Sequence, residues 1–238
     1  MNSGMQLYYD YTVSPLGKLF YTTVWEQLST IKNKKVLDFG SGFGFTSNFL
    51  AKNNSVTAIE KDPQMIEASF REVPYEQING DLSTLQSLEE NSFDVVVCHL
   101  VLEFVDNASE ILNACLRVLK KGGTLSIVRH NKYGRIIQAI VQDYDLKEVE
   151  NLLDGGYSYS SAFGDIKYYE NEDLINWAND SVSVDKVHGV RALASLQSAT
   201  IQNKDNWLTE MQAIEWKLLQ DENIIKIAYF NHVLFTKI

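Results

Sequence analysis

Short apolar runs alternate with amphipathic stretches along the first half of the chain. The runs are residues 35–39, 55–59, 75–78, 93–98 and 124–128. The fourth, residues 93–98, is apolar almost throughout, as a strand covered on both faces should be. Between the runs, residues 45–51, a segment opening at Asp62-Pro63 and running through Phe70, and residues 107–119 read as helices. In the last of these Ile111, Leu112, Cys115, Leu116 and Leu119 recur at helical spacing. Asp62 suits an N-cap with Pro63 at the first helical position. Lys120 and Lys121 suit a helix C-terminus that Gly122-Gly123 would stop. Ahead of the first run, Leu16, Leu19, Phe20, Val24 and Leu28 predict a helix that starts at Ser14-Pro15.

Strands alternating with helices at short intervals predict an α/β fold with a doubly wound, mostly parallel sheet. Beyond residue 131 the pattern loosens. Residues 134–141, 146–153, 172–178 and 206–219 read as helices, and 182–190 and 224–236 as strands, which brings the expected sheet to seven strands. We expect one domain: an N-terminal helical segment over 1–33, a ligand-binding core over 35–129, a helical insertion over 132–181 and a C-terminal part over 182–238. The insertion, with its Gly155-Gly156-Tyr157-Ser158 stretch, is the natural place for a lid or a substrate-binding element, or else it serves packing.

A length of 238 residues suffices for a full core. The first residues, Met1 to Gln6, have neither the basic region nor the apolar core of a signal peptide. The most apolar window, residues 95–105, is broken by His99 and Glu103 and is too short to span a bilayer. Cys98 and Cys115 lack metal-ligand spacing and read as buried thiols in a reducing cytoplasm, and no metal is expected. A net charge of −10 argues against a general nucleic-acid coat, although a local basic patch remains compatible with it.

The candidate chemistry collects where open α/β sheets bind ligands, at the carboxyl ends of the strands. The first strand ends in Asp38-Phe39-Gly40-Ser41-Gly42-Phe43-Gly44. This G-x-G-x-G spacing differs from the G-x-G-x-x-G of dinucleotide-binding loops. Glu60 ends the second strand, 20 residues after Gly40. There a carboxylate can accept hydrogen bonds from vicinal ribose hydroxyls; the alternative is a solvated surface acid. Asn79-Gly80-Asp81-Leu82 follows the third strand, either as a contact to an adenine ring or as a plain turn. His99 follows the fourth strand as a cofactor or active-site candidate, or as a satisfied core residue. Glu103 lies one helical turn later, shaping a pocket or solvating a helix start. Arg129, His130, Asn131, Lys132, Tyr133 and Arg135 make a basic cluster after the fifth strand, which suits either an anionic acceptor or a solvated loop.

As an ordered set, VLDFGSGFG, IEKD, NGDL, FDVVVCHLVLEFV and LRVLKKGGTLSIV resemble class I S-adenosylmethionine-dependent methyltransferases. The resemblance covers about residues 15–131 and implies the seven-stranded Rossmann-like methyltransferase fold. HLVLEFV followed by LKKGGTLSIVRHNKYG is most similar to the bacterial tRNA 5-carboxymethoxyuridine methyltransferases, which esterify the carboxylate of a modified wobble uridine. Gly17, Leu19 and Trp25 resemble that family's N-terminal helix, but its functional Arg after the Leu is Phe20 here, and its Asp after the second strand is Glu60. The resemblance implies S-adenosylmethionine as cofactor and S-adenosylhomocysteine as product. The cofactor-binding candidates are thus Asp38, Gly40, Ser41, Gly42, Gly44, Glu60, Lys61, Gly80, Asp81, Leu82 and His99. Arg129, Lys132, Tyr133 and Arg135 are candidates for the acceptor, and His130, Asn131 and Glu103 for catalysis. The acceptor is expected to be tRNA or a small anionic metabolite; a non-catalytic cofactor-binding protein is the rival from another class.

Overall fold

The computed structural model describes residues 3–238. Met1 and Asn2, which open the stretch read above for a signal peptide, lie outside the described residues. The elements run α1 (Ser3–Val13), α2 (Pro15–Leu28), β1 (Lys35–Phe39), α3 (Phe45–Ala51), β2 (Ser55–Glu60), α4 (Pro63–Glu67), β3 (Glu76–Asn79), α5 (Leu82–Ser87), β4 (Phe93–His99), α6 (Ala108–Val118), β5 (Leu119–His130), α7 (Lys132–Gln138), α8 (Leu146–Leu153), β6 (Ser158–Ser160), β7 (Gly164–Ile166), α9 (Asn171–Trp177), β8 (Val182–Val190), α10 (Ala199–Gln202), α11 (Trp207–Leu218), α12 (Glu222–Ile227) and β9 (Phe230–Lys237). A 3-10 turn at Leu102–Phe104 and a π-helical turn at Ala139–Asp143 interrupt the regular elements.

Seven strands form one sheet in the order β3-β2-β1-β4-β5-β9-β8. The pairings β1–β2, β1–β4, β2–β3 and β4–β5 are all parallel. The order reverses direction at β1 and β4, the switch point where a ligand crevice opens in such sheets. Burial explains the apolar runs, since Val36, Leu37, Ala58, Ile59, Val96 and Val97 are all fully buried.

The chain divides into two compact units. One, the core unit, comprises Gln27–Val128, Tyr169–Lys186 and Val233–Ile238, and it holds at least part of every strand of the large sheet. The other, the flanking unit, comprises the N-terminal segment through Glu26 with Arg129–Tyr168 and Val187–His232. Its own cores are Leu19 with Ala194, Trp207 and Met211, and Ile136 with Ala139, Val149 and Leu152.

Several expectations are corrected. Helix α6 ends at Val118, and β5 begins at once with Leu119. Lys120 is therefore a strand residue, and its Nζ pairs with Asp94 on β4 at 2.8 Å. Gly122 takes φ +73 in a bulge where the register jumps from Phe93↔Leu119 to Val95↔Thr124. The glycine pair thus bends a strand instead of stopping a helix. The expected last strand over 224–236 is split: α12 takes its first residues because the Asp221 side chain caps the amides of Asn223 and Ile224. Helix α1 falls inside the expected N-terminal helical segment, whereas the β6–β7 hairpin was not anticipated. Among the described residues no helix is long and apolar enough to cross a membrane.

Candidate active site

The glycine turn between β1 and α3 is built by backbone hydrogen bonds to the neighbouring strand. The amides of Gly40 and Ser41 both donate to the carbonyl of Ile59, at 2.8 and 3.1 Å. Gly40, Gly42 and Gly44 all have positive φ, at +73, +54 and +75. Their surroundings differ. A Cβ on Gly40 would meet Val101 Cγ2 at 2.4 Å and one on Gly44 would meet the Tyr75 hydroxyl at 2.3 Å, whereas one on Gly42 would meet only Met65 Sδ at 3.9 Å. Gly40 and Gly44 are therefore glycines partly for packing, while Gly42 presents bare backbone on an open side.

Glu60 closes the turn. It is 7% exposed, its Oε2 accepts the Gly42 amide at 2.9 Å, and its Oε1 accepts the Asp62 amide at 2.9 Å. Each oxygen retains a lone pair for a further donor. The Glu60 carbonyl accepts from Gly80 N and Asn79 Nδ2, both at 3.0 Å, so the turn after β3 is stitched to the tip of β2. Lys61 is exposed and contributes its carbonyl to Asn79 Nδ2 at 3.0 Å. Asp81 caps α5 through the Ser83 amide and hydroxyl, and these bonds hold its carboxyl below the usual range. Leu82 is the first residue of that helix.

Of the buried polar groups without a hydrogen bond in this unit, two lie at the turn. Ser41 Oγ and Tyr75 Oη are both buried without a hydrogen bond. A buried hydroxyl left unpaired inside a ligand-type turn is what a site awaiting a polar ligand shows. Asp38, 3% exposed, accepts the Ser47 hydroxyl at 2.5 Å and so ties β1 to α3. Burial pushes its carboxyl up to about 6; the Ser47 bond opposes this and the Glu60 charge adds to it.

His99, at the end of β4, bonds Ser126 Oγ through Nε2 at 2.7 Å, and burial pushes its imidazole down to about 3. It is neutral at physiological pH and unsuited to serve as a base there. Glu103, on the 3-10 turn, is 1% exposed.

The basic cluster lies in the flanking unit. Arg129 is 5% exposed, and the His130 ring packs on Tyr229 and Phe230 at 5.7 and 4.8 Å. Asn131 caps α7 through Tyr133 N, and its amide donates to the carbonyls of Lys226 and Ala228 at 3.0 and 2.8 Å. That amide latches α7 to the end of α12. Arg135 is consumed by Glu148, Asp143 and Gln138. Lys132 lies over the Tyr133 ring at 5.8 Å, and Tyr133 is 55% exposed. The cofactor candidates thus gather around one turn, while of the acceptor candidates Arg135 is committed to acids of its own unit, Arg129 is buried and Tyr133 is exposed. Sequence reasoning missed the tethers Ser47 and Ser126, which carry no motif, and Arg191, considered below.

A family model described as a methyltransferase domain matches residues 37–127. The mitochondrial ubiquinone biosynthesis O-methyltransferase of Schizosaccharomyces pombe is 30% identical over 139 residues, covering 55% of this chain and 51% of that protein. The ubiquinone biosynthesis O-methyltransferase of Pseudomonas putida strain GB-1 is 30% identical over 166 residues, 66% of this chain and 67% of that protein. The chain thus spans about half of the first relative's length and two thirds of the second's. In three dimensions it is similar to an S-adenosylmethionine-dependent methyltransferase from Thermotoga maritima, with a TM-score of 0.64, 16% identity, and 98% and 96% of the two chains covered. At that identity the likeness speaks for the fold, and the sequence matches speak for descent. With its glycine turn, its acid at the tip of β2 and these relatives, the chain belongs to the class I S-adenosylmethionine-dependent methyltransferases.

Proposed function

We propose that this chain transfers a methyl group from S-adenosylmethionine to a nucleophilic oxygen of a small molecule. The observation that carries the reading is Glu60, whose buried carboxylate accepts the Gly42 amide of the turn and keeps an acceptor site on each oxygen. Glu60 would hold the ribose hydroxyls. The open backbone at Gly42 and the unpaired Ser41 hydroxyl would take the polar end of the cofactor, Gly80 to Leu82 would flank the adenine side, and His99, at the end of β4 across β1 from them, would lie towards the methyl end. When bound, the cofactor supplies an electrophilic methyl on a sulfonium. The work left to this chain is alignment and exclusion of water. The neutral His99 contributes a hydrogen-bonding wall and no proton transfer.

Three observations support a small acceptor over tRNA. The chain carries a net charge of −10, Arg135 is paired with acids of its own unit, and Arg129 is buried. A polyanion needs exposed, unpaired cations. The relatives named above act, by their names, in ubiquinone biosynthesis, which is small-molecule chemistry. The tRNA reading retains the motif resemblance around His99 and Asn131 in its favour.

Labelled S-adenosylmethionine incubated separately with unfractionated tRNA and with a metabolite extract tests the choice. Label in a small molecule is the expected result, and label in tRNA overturns it. Calorimetry with S-adenosylhomocysteine and NAD tests the cofactor itself: tight binding of NAD alone would remove the transferase reading.

A further inference from the structure

Arg191 follows β8 directly, in the left-handed region at φ +59, with its side chain buried to 2% exposure. Its Nη2 donates to Ser195 Oγ at 3.0 Å, while Nε and Nη1 are buried with no hydrogen-bond partner. Three rings of the same unit surround the guanidinium carbon: Tyr11 at 5.4 Å, Tyr229 at 5.1 Å and Phe230 at 5.2 Å. Ring faces attract a cation, yet they leave its N–H donors unanswered.

The acid whose charge reaches it is already committed. Glu215, 1% exposed, accepts the amides of Ala192, Leu193 and Ala194, each at 3.1 Å. It braces the turn that presents Arg191 and does not complete the guanidinium's hydrogen bonding. Burial pushes that guanidinium down to about 10, against the opposing pull of Tyr229 and Glu215. A buried cation without a hydrogen-bonded anion is costly, and a fold that keeps one gains when an anion arrives.

We propose that Arg191 is an anion-binding subsite that receives the carboxylate of a flat, partly apolar small molecule. The subsite rests on residues of the flanking unit alone. Each unanswered nitrogen shares an edge with Nη2, which gives only one of its two N–H groups to Ser195, so one forked edge remains for the two oxygens of a carboxylate, whereas a phosphate brings more oxygens than one edge can serve. Aromatic walls suit a flat apolar body. Of these rings, Tyr11 on α1 reaches solvent at 39% exposure, while Phe230, at 3%, does not.

The test uses the full chain with benzoate, the simplest aromatic carboxylate, and inorganic phosphate as probes. Benzoate is expected to bind and to raise Tm, and Arg191→Met should weaken it at least about tenfold. Arg191→Lys, which keeps the charge but not the planar donors, should recover part of the loss. Tyr11→Ala, at the exposed wall, should weaken benzoate by roughly threefold or more and guards against a folding failure at position 191. S-adenosylhomocysteine affinity should stay within about twofold in all three variants. The subsite is overturned if wild-type protein ignores benzoate or if Arg191→Met binds it equally well, and phosphate bound in preference overturns the carboxylate assignment. Failure of S-adenosylhomocysteine to bind while benzoate still binds would remove the transferase reading and leave the subsite standing.

Discussion

The Glu60 carboxylate and the Gly42 amide meet at 2.9 Å, linking residues at the tips of two adjacent parallel strands. The bond aims the acid across the turn and fixes the turn around the acid. Neither conformation is favoured alone: a glycine turn is floppy, and a glutamate with 7% exposure needs partners.

Glu60→Gln keeps the volume but replaces one acceptor oxygen with a donor. It should weaken S-adenosylhomocysteine binding roughly 10- to 100-fold, about 1.4 to 2.7 kcal/mol, through lost charge-assisted hydrogen bonds. Calorimetry reads this directly, and unchanged affinity would mean that no ribose sits on this carboxylate.

Asp38 makes stability depend on pH in an unusual direction for an acid. Its carboxyl lies at about 6 in the fold against 3.8 for the free side chain. The native state therefore holds the proton more tightly, so the contribution is fully present below 3.8 and lost as pH rises through about 6. A difference of that size corresponds to ~3 kcal/mol. Urea unfolding of Asp38→Asn should show its gain over wild type growing from pH 4 to pH 7; parallel pH profiles would contradict the assignment.

His99 acts in the opposite sense. Its folded value of about 3 lies below the free value of 6.5, so its contribution is fully present above 6.5 and lost as pH falls towards 3. His99→Gln should be less acid-labile over that window. Ring nitrogen shifts in NMR should show His99 neutral at pH 5, and a charged ring there would refute the burial argument.

Arg135 and Glu148 form a forked ion pair, with side-chain exposures of 17% and 16%. Ser158 also donates to Glu148, at 2.7 Å. Glu148→Gln should lower stability by about 1–3 kcal/mol, since a half-buried guanidinium loses its main counter-charge. Arg135→Ala should leave any binding of tRNA, and its salt dependence, unchanged. A reduced salt slope would restore Arg135 as a phosphate contact.

A carboxylate acceptor is already ionised at pH 7 and needs no enzymatic base. If the acceptor is a carboxylate, kcat should be flat between pH 6 and 8. A limb near the histidine range that disappears in His130→Ala would indicate instead a protonated acceptor and a base at His130.

The ligand-binding half of the chain was the more legible. Strand β1 and helix α3 fall where their patterns place them, and beyond that half β8 does so too. The Gly40 to Gly44 turn and Glu60 were identifiable because their requirements are local: positive φ, an apolar strand before, an acid at a fixed interval. The bulge at Gly122 and the helix at Glu222–Ile227 were not, because both depend on which strand lies alongside and which cap competes. The basic cluster read as available for an anion, yet Arg135 finds Glu148 and Asp143 in the next turns of chain.

By itself, then, the sequence determined the alternation of strands and helices, the glycine turn and the acid that faces it. These follow from backbone conformation and hydrophobic period, which act over a few residues. Only the tertiary structure decided which charges are spent and which are kept. Arg135 is neutralised by its neighbours, whereas Arg191 is enclosed by Tyr11, Tyr229 and Phe230 from distant parts of the chain with two nitrogens unanswered. A charge is satisfied by whatever lies within a few ångströms, and that is a property of packing, not of position along the chain.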